Sequence, residues 1–136
     1  MKKILTILGC VILLAATSCT KQYITPGQTN QTFSFNVAPS VWTLTTDNGG
    51  VKSYSAPLAV PVSNGFIQSG GGVIVSISYD GGNTFESLPE TYGGVAYSYT
   101  YNAGNVSIYA QSADGSTPIQ PTLPIQANVV LVSSSH

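Results

Sequence analysis

The sequence predicts an all-β fold, an antiparallel β-sandwich of about eight strands, and three observations predict it. Short runs of apolar and aromatic residues alternate with polar ones at a period of two. Glycine-bearing doublets and triplets separate these runs. No stretch after residue 31 repeats its apolar residues at the spacing of a helix.

The elements follow in chain order. Phe33, Phe35 and Val37 alternate with Ser34 and Asn36, which gives a first strand one apolar face. Residues 41–46 and 58–62 are the next candidates, and Pro61 marks the second as an edge or an irregular stretch because it cannot donate to a ladder. Residues 66–68 form a short candidate strand. Val73, Val75, Ile77 and Tyr79 share one face, and residues 85–88 follow. In residues 95–101, Val95, Tyr97, Tyr99 and Tyr101 fall on one side, with Ala96, Ser98 and Thr100 on the other. Val106, Ile108 and Ala110 form another apolar face, and Ala127, Val129 and Leu131 the last. Asn48-Gly49-Gly50, Asn64-Gly65, Gly70-Gly71-Gly72, Gly93-Gly94 and Asp114-Gly115 stand between the runs, each suited to a tight turn.

Ahead of this domain lies an export signal. Lys2 and Lys3 begin it, a short apolar stretch over residues 4–16 follows, and Ala16-Thr17-Ser18-Cys19 ends it with small residues before a cysteine. This ending resembles the lipobox cut by lipoprotein signal peptidase. The resemblance implies a diacylglycerol on the Cys19 sulfur and, after cleavage, an acyl chain on its amine. The apolar run is shorter than the roughly 20 residues a membrane span requires, so a removed signal is expected over residues 1–18. Cys10 is the rival cleavage point, but the apolar core before it falls below the usual length of roughly 7 to 15 residues. Residues 19–31 read as the lipidated cysteine and a polar tether, and residues 32–136 as the sandwich. The expected address is the cell envelope, on the outer membrane, with the lipid as the membrane contact and no other cofactor.

Charge excludes one class of partner. After cleavage the cations are Lys21 and Lys52, the chain has no arginine, and the acids are Asp47, Asp80, Glu86, Glu90 and Asp114, a net charge of about −3. Nucleic-acid binding needs clustered cations to displace counterions from phosphates, so no nucleic-acid partner is expected. Cys10 leaves with the signal and Cys19 carries lipid, so no disulfide is expected either.

The sharpest motif is Ser78-Tyr79-Asp80-Gly81-Gly82-Asn83-Thr84-Phe85. It resembles the Asp-box, Ser-x-Asp-x-Gly-x-Thr-aromatic, of sialidases and other secreted β proteins, where it is a structural hairpin away from the active site. Asp80 is expected to accept backbone N–H groups, Gly82 to reverse the chain, and Phe85 to pack beneath, with Ser78 and Thr84 completing the hairpin. The motif occurs once, whereas a propeller repeats such a unit in each blade. Together with Leu88-Pro89-Glu90-Thr91, the following tyrosine-rich strand and Val129-Val130-Leu131-Val132, the region resembles small Gram-negative lipoproteins with a short β domain and an aromatic-x-x-Leu-Pro element, often behind a collagen-like tether. The present tether lacks the Gly-Pro repeat, and Phe85 stands where tryptophan is common. This resemblance implies a fold and an address, and brings no catalytic residue.

Catalysis and metal binding are tested by inventory. His136 is the single histidine and the last residue, which leaves no Ser-His-acid triad and no zinc set, so no catalytic residue and no metal site are expected. Glu86 and Glu90 are the carboxylate pair to weigh against a glycosidase arrangement, with a charged loop as the expected reading. Asp47 with Asn48, Asp80 with Asn83 and Asp114 with Ser116 are oxygen-rich, but ordinary turns require the same residues. Two functions are compatible with this inventory. One is a structural or protein-interaction module of the envelope, the expected reading. The alternative is a glycan-binding module, suggested by eight tyrosines and Trp42. Tyr97, Tyr99, Tyr101 and Trp42 are its candidate binding residues if the tyrosine row faces solvent, although a sandwich normally turns such a face inward.

Overall fold

The computed structural model describes residues 30–134. The signal segment, Cys19, the tether up to residue 29 and His136 lie outside the described residues. Within them, alternating residues form β1 (Gln31–Val37), β2 (Thr43–Thr46), β3 (Lys52–Leu58), β4 (Gly72–Ser78), β5 (Glu86–Ser87), β6 (Glu90–Tyr92), β7 (Val95–Asn102), β8 (Asn105–Ser112) and β9 (Ile125–Val132). One sheet has the order β1-β9-β4-β5 and the other β2-β3-β8-β7-β6. Every pairing is antiparallel. The all-β sandwich expected from the sequence is the fold observed.

The sandwich closes because each sheet turns its apolar alternate residues toward the other. Val73, Val75 and Ile77 of β4 and Ala127, Val129 and Leu131 of β9 supply one side of the core. Ala56 and Leu58 of β3, Val106, Ile108 and Ala110 of β8, and Tyr97 of β7 supply the other. Val75, Ile77, Val106, Ile108 and Val129 are fully enclosed. Each such aliphatic side chain contributes about 1.5 to 3 kcal/mol by leaving water, which lets a chain with so few charges and no disulfide among its described residues hold together.

Two expectations are corrected. Residues 58–62 are not a strand: β3 lies upstream and ends at Leu58, and the irregular stretch around Pro61 instead buries Val60 and Val62. Pro57 is tolerated inside β3 because it pairs with Ser107 of β8 beyond the last residue that β2 covers, where the strand has a neighbour on one side only. Residues 66–68 are not a strand either. They belong to a short helix, α1 (Asn64–Gln68), capped where Ser63 Oγ accepts the N–H of Phe66 at 3.0 Å.

The chain changes sheets between β5 and β6, at Leu88-Pro89, whose peptide bond is cis. Leu88 is buried there, and its N–H donates to the Val75 carbonyl at 2.9 Å. The Leu-Pro element singled out in the sequence is therefore the crossing from one layer to the other.

Candidate binding surfaces

The tyrosine row of β7 faces the opposite sheet. Tyr97 is 6 % exposed and Trp42 4 % exposed, their rings tilted at 60° with centroids 6.3 Å apart. Tyr99 is half-buried and donates its hydroxyl to the Val73 carbonyl at 2.6 Å, tying β7 to β4 across the sandwich. Burial first, and then the neighbouring Tyr101, raises the Tyr99 hydroxyl from its ordinary value. Tyr101, at the strand's end, is exposed. Of the four candidate binding residues, Trp42 and Tyr97 are thus core, Tyr99 is a tie between layers, and Tyr101 stands alone at the rim. They form no aromatic platform.

The Ser78–Phe85 segment is a self-contained turn. Asp80 Oδ1 accepts from Ser78 Oγ at 2.8 Å, from the N–H of Asn83 at 3.1 Å and from the N–H of Thr84 at 2.9 Å. Ser78 Oγ in turn accepts the N–H of Gly82 at 2.9 Å. The backbone bond from Thr84, and then the Ser78 hydroxyl, lowers the Asp80 carboxyl to about 2. Gly82 has φ 91°, and a Cβ there would run into the Gln126 amide, so glycine is required both for the conformation and for the space. Phe85 departs from expectation. It is 38 % exposed and borders an open depression with Gly82, Ser34 and Asn128, because the register of β5 on β4 turns it to the outside of the sheet. The turn's hydrogen bonds are carried by Ser78 and Asp80.

Asp47 and Asp114 do the same work at other turns. Asp47 Oδ1 takes the N–H groups of Gly49 and Val51, both at 2.9 Å. Asp114 Oδ1 takes the N–H of Ser116 at 3.0 Å and the hydroxyls of Ser112 and Ser116, and the Ser112 bond leads in lowering its carboxyl to about 2. Among the described residues, no three His, Cys, Asp or Glu side chains cluster as a metal site.

Glu86 and Glu90 come together across the β5–β6 crossing. The hydrogen bond between them, with partial loss of water and the charges of Glu90 and Asp80 behind it, raises the Glu86 carboxyl from its ordinary value. Glu90 also accepts the Tyr79 hydroxyl at 2.7 Å, and the Tyr79 ring stacks on Tyr92 with centroids 4.1 Å apart. Burial, and then that bond to Glu90, raises the Tyr79 hydroxyl strongly. This cluster joins the end of β4 to β6 and so fastens one sheet to the other. Tyr79 and Tyr92 also line a shallow cleft of about 270 Å³ with Ile119 and Leu123.

A further concavity, of about 360 Å³, lies on the outer face of the five-stranded sheet, with Tyr109, Gln111, Ser53, Ser98, Thr100 and Asp47 among its lining. Sequence reasoning passed over Tyr109 and Gln111. The signal was present, since the inward alternation of Val106, Ile108 and Ala110 sends the residues between them outward. Comparison with known protein families, curated proteins and solved structures finds no match to this chain.

Proposed function

We propose that this chain is a lipid-anchored protein of the cell envelope, a non-catalytic module that holds a partner protein by strand addition. The observation that carries this reading is the free edge of β1. Its seven residues, Gln31–Val37, pair along their whole length with β9 on one side and with no described residue on the other. The other edge strands, β2, β5 and β6, are only four, two and three residues long. Natural sheets blunt a long edge with lysine, proline or a bulge, and β1 carries no lysine and no proline. A long uncharged edge suits an extended, low-charge segment of a partner protein, held by main-chain hydrogen bonds and read through alternate side chains. The signal ending at Cys19 supplies the address in this reading, and the tether up to residue 31, reaching about 40 Å at most, gives the edge its distance from the lipid.

In intact cells, a photocrosslinker placed in turn at Ser34 and Asn36 tests the proposal. The expected result is one recurrent envelope protein captured from both positions, with the capture abolished by Gln31→Lys together with Thr32→Lys on the same strand. Recovery of no constant neighbour, of a second copy of this chain alone, or of a neighbour indifferent to the lysines would refute it.

A further inference from the structure

We propose that the outer face of the five-stranded sheet carries a binding site for a neutral saccharide, centred on the Tyr109 ring. Register sets the platform. Tyr109 of β8 stands directly between Ser55 of β3 and Ser98 of β7, so both flanking side chains are small; Ser55 is buried beside the ring, and on the other side Ser98 is exposed and opens onto the concavity. Its hydroxyl meets Thr100 Oγ1 at 3.2 Å, which fixes the ring's direction along the sheet. A phenol ring held in this way presents the apolar face on which the C–H side of a sugar stacks.

Around the ring stand polar groups with unspent hydrogen-bonding capacity. The Gln111 amide and the Ser98 hydroxyl have no partner among the described residues, and both line the concavity. At one end Asp47 spends Oδ1 on the two N–H groups of its own turn, which leaves Oδ2 to accept. An amide, a hydroxyl and a carboxylate oxygen around one aromatic ring match the donors and acceptors that sugar hydroxyls offer. The volume of about 360 Å³ falls inside the range of roughly 300 to 1,000 Å³ that small-ligand sites occupy. No lysine or arginine lines the concavity and Asp47 does, so phosphorylated, sulfated and uronic sugars are disfavoured and a neutral one is selected. The site lies on a different sheet from β1, and so is independent of strand addition.

The test uses the full lipidated chain in a polyoxyethylene detergent, since glucoside and maltoside headgroups are themselves sugars. The probes are immobilised neutral oligosaccharides, hexamers of glucose in α and β linkage and of N-acetylglucosamine, with polygalacturonate as the anionic control. Binding to at least one neutral hexamer and not to polygalacturonate is expected. Tyr109→Ala should weaken it at least about tenfold, and Gln111→Ala severalfold, while Tyr109→Phe, which keeps the ring, stays within about threefold. Tyr101→Ala, on the opposite face, should leave it unchanged. Saturation-transfer NMR of the bound hexamer with the Tyr109→Phe and Gln111→Ala proteins keeps the question open to refutation should Tyr109→Ala fold poorly. Failure of every neutral hexamer to bind at millimolar concentration, preference for polygalacturonate, or affinity indifferent to both Tyr109→Ala and Gln111→Ala would overturn the proposal.

Discussion

Asp80 shows how a single carboxylate organises a hairpin here, and how its titration can be read. Its carboxyl is held down at about 2 because the ionised form accepts the Thr84 and Asn83 amides and the Ser78 hydroxyl. A carboxyl lowered on folding contributes stability that is complete above its unfolded value of roughly 3.9 and is lost as pH falls through the folded one. Asp80→Asn should therefore lower the melting temperature at pH 6, and the gap to wild type should close as both are taken toward pH 2. Glu86 has the opposite sign. Its carboxyl is raised, first by the hydrogen bond to Glu90, so its contribution is present below the ordinary carboxylate value and disappears as pH rises through the folded one. Glu86→Gln keeps a donor toward Glu90 without the second charge, and should melt at or above wild type at pH 7, with the advantage shrinking near pH 4. The Asp80 turn was legible in the sequence because its chemistry is local, three residues answering one carboxylate. The exposure of Phe85 was not, because which way that ring points depends on the register of β5 against β4.

Strand β7 tests the packing element by element. Truncating Tyr97, enclosed between the sheets, should cost about 3 to 5 kcal/mol, as other buried aromatic truncations do. Tyr99→Phe keeps the ring and forfeits the bond to the Val73 carbonyl, a loss of about 1 kcal/mol. Tyr101→Ala, at the exposed end, should stay within about 0.5 kcal/mol. Denaturant melts of the three variants check this gradient, and a flat series would contradict the inward-facing row. Period-two alternation made β7, β8, β9, β4 and β1 readable, since each spans seven or eight residues and buries one face. Helix α1 was not readable at five residues, too short to show a helical period, and is made by the Ser63 cap and the glycines around it. Strand β3 falls upstream of the expected 58–62 because Pro57, which cannot donate to a ladder, sits where the short reach of β2 leaves the strand one neighbour only.

At the scale of the molecule, the proposal joins an address read from residues 1–19 to the sandwich that the structure describes. Alternation fixes which faces go inward, and by subtraction which go outward, so the Tyr109 surface follows from the same pattern that builds the core. What alternation cannot supply is the order of strands. The position of β1 at an edge emerges only when β9 is seen to pair with both β1 and β4. The edge and the Tyr109 concavity are useful to a cell only if the domain is held where partners pass, which makes the lipid anchor the central claim. An acyl chain contributes about 0.8 kcal/mol for each buried methylene, and two or more chains anchor stably where one does not. Labelling cells with a palmitate analogue and partitioning the wild-type and Cys19→Ala proteins between detergent and aqueous phases tests this most directly. Wild type should carry the label and enter the detergent phase, and Cys19→Ala should remain unlabelled and aqueous; a Cys19→Ala protein that still enters the detergent phase in full would contradict the account.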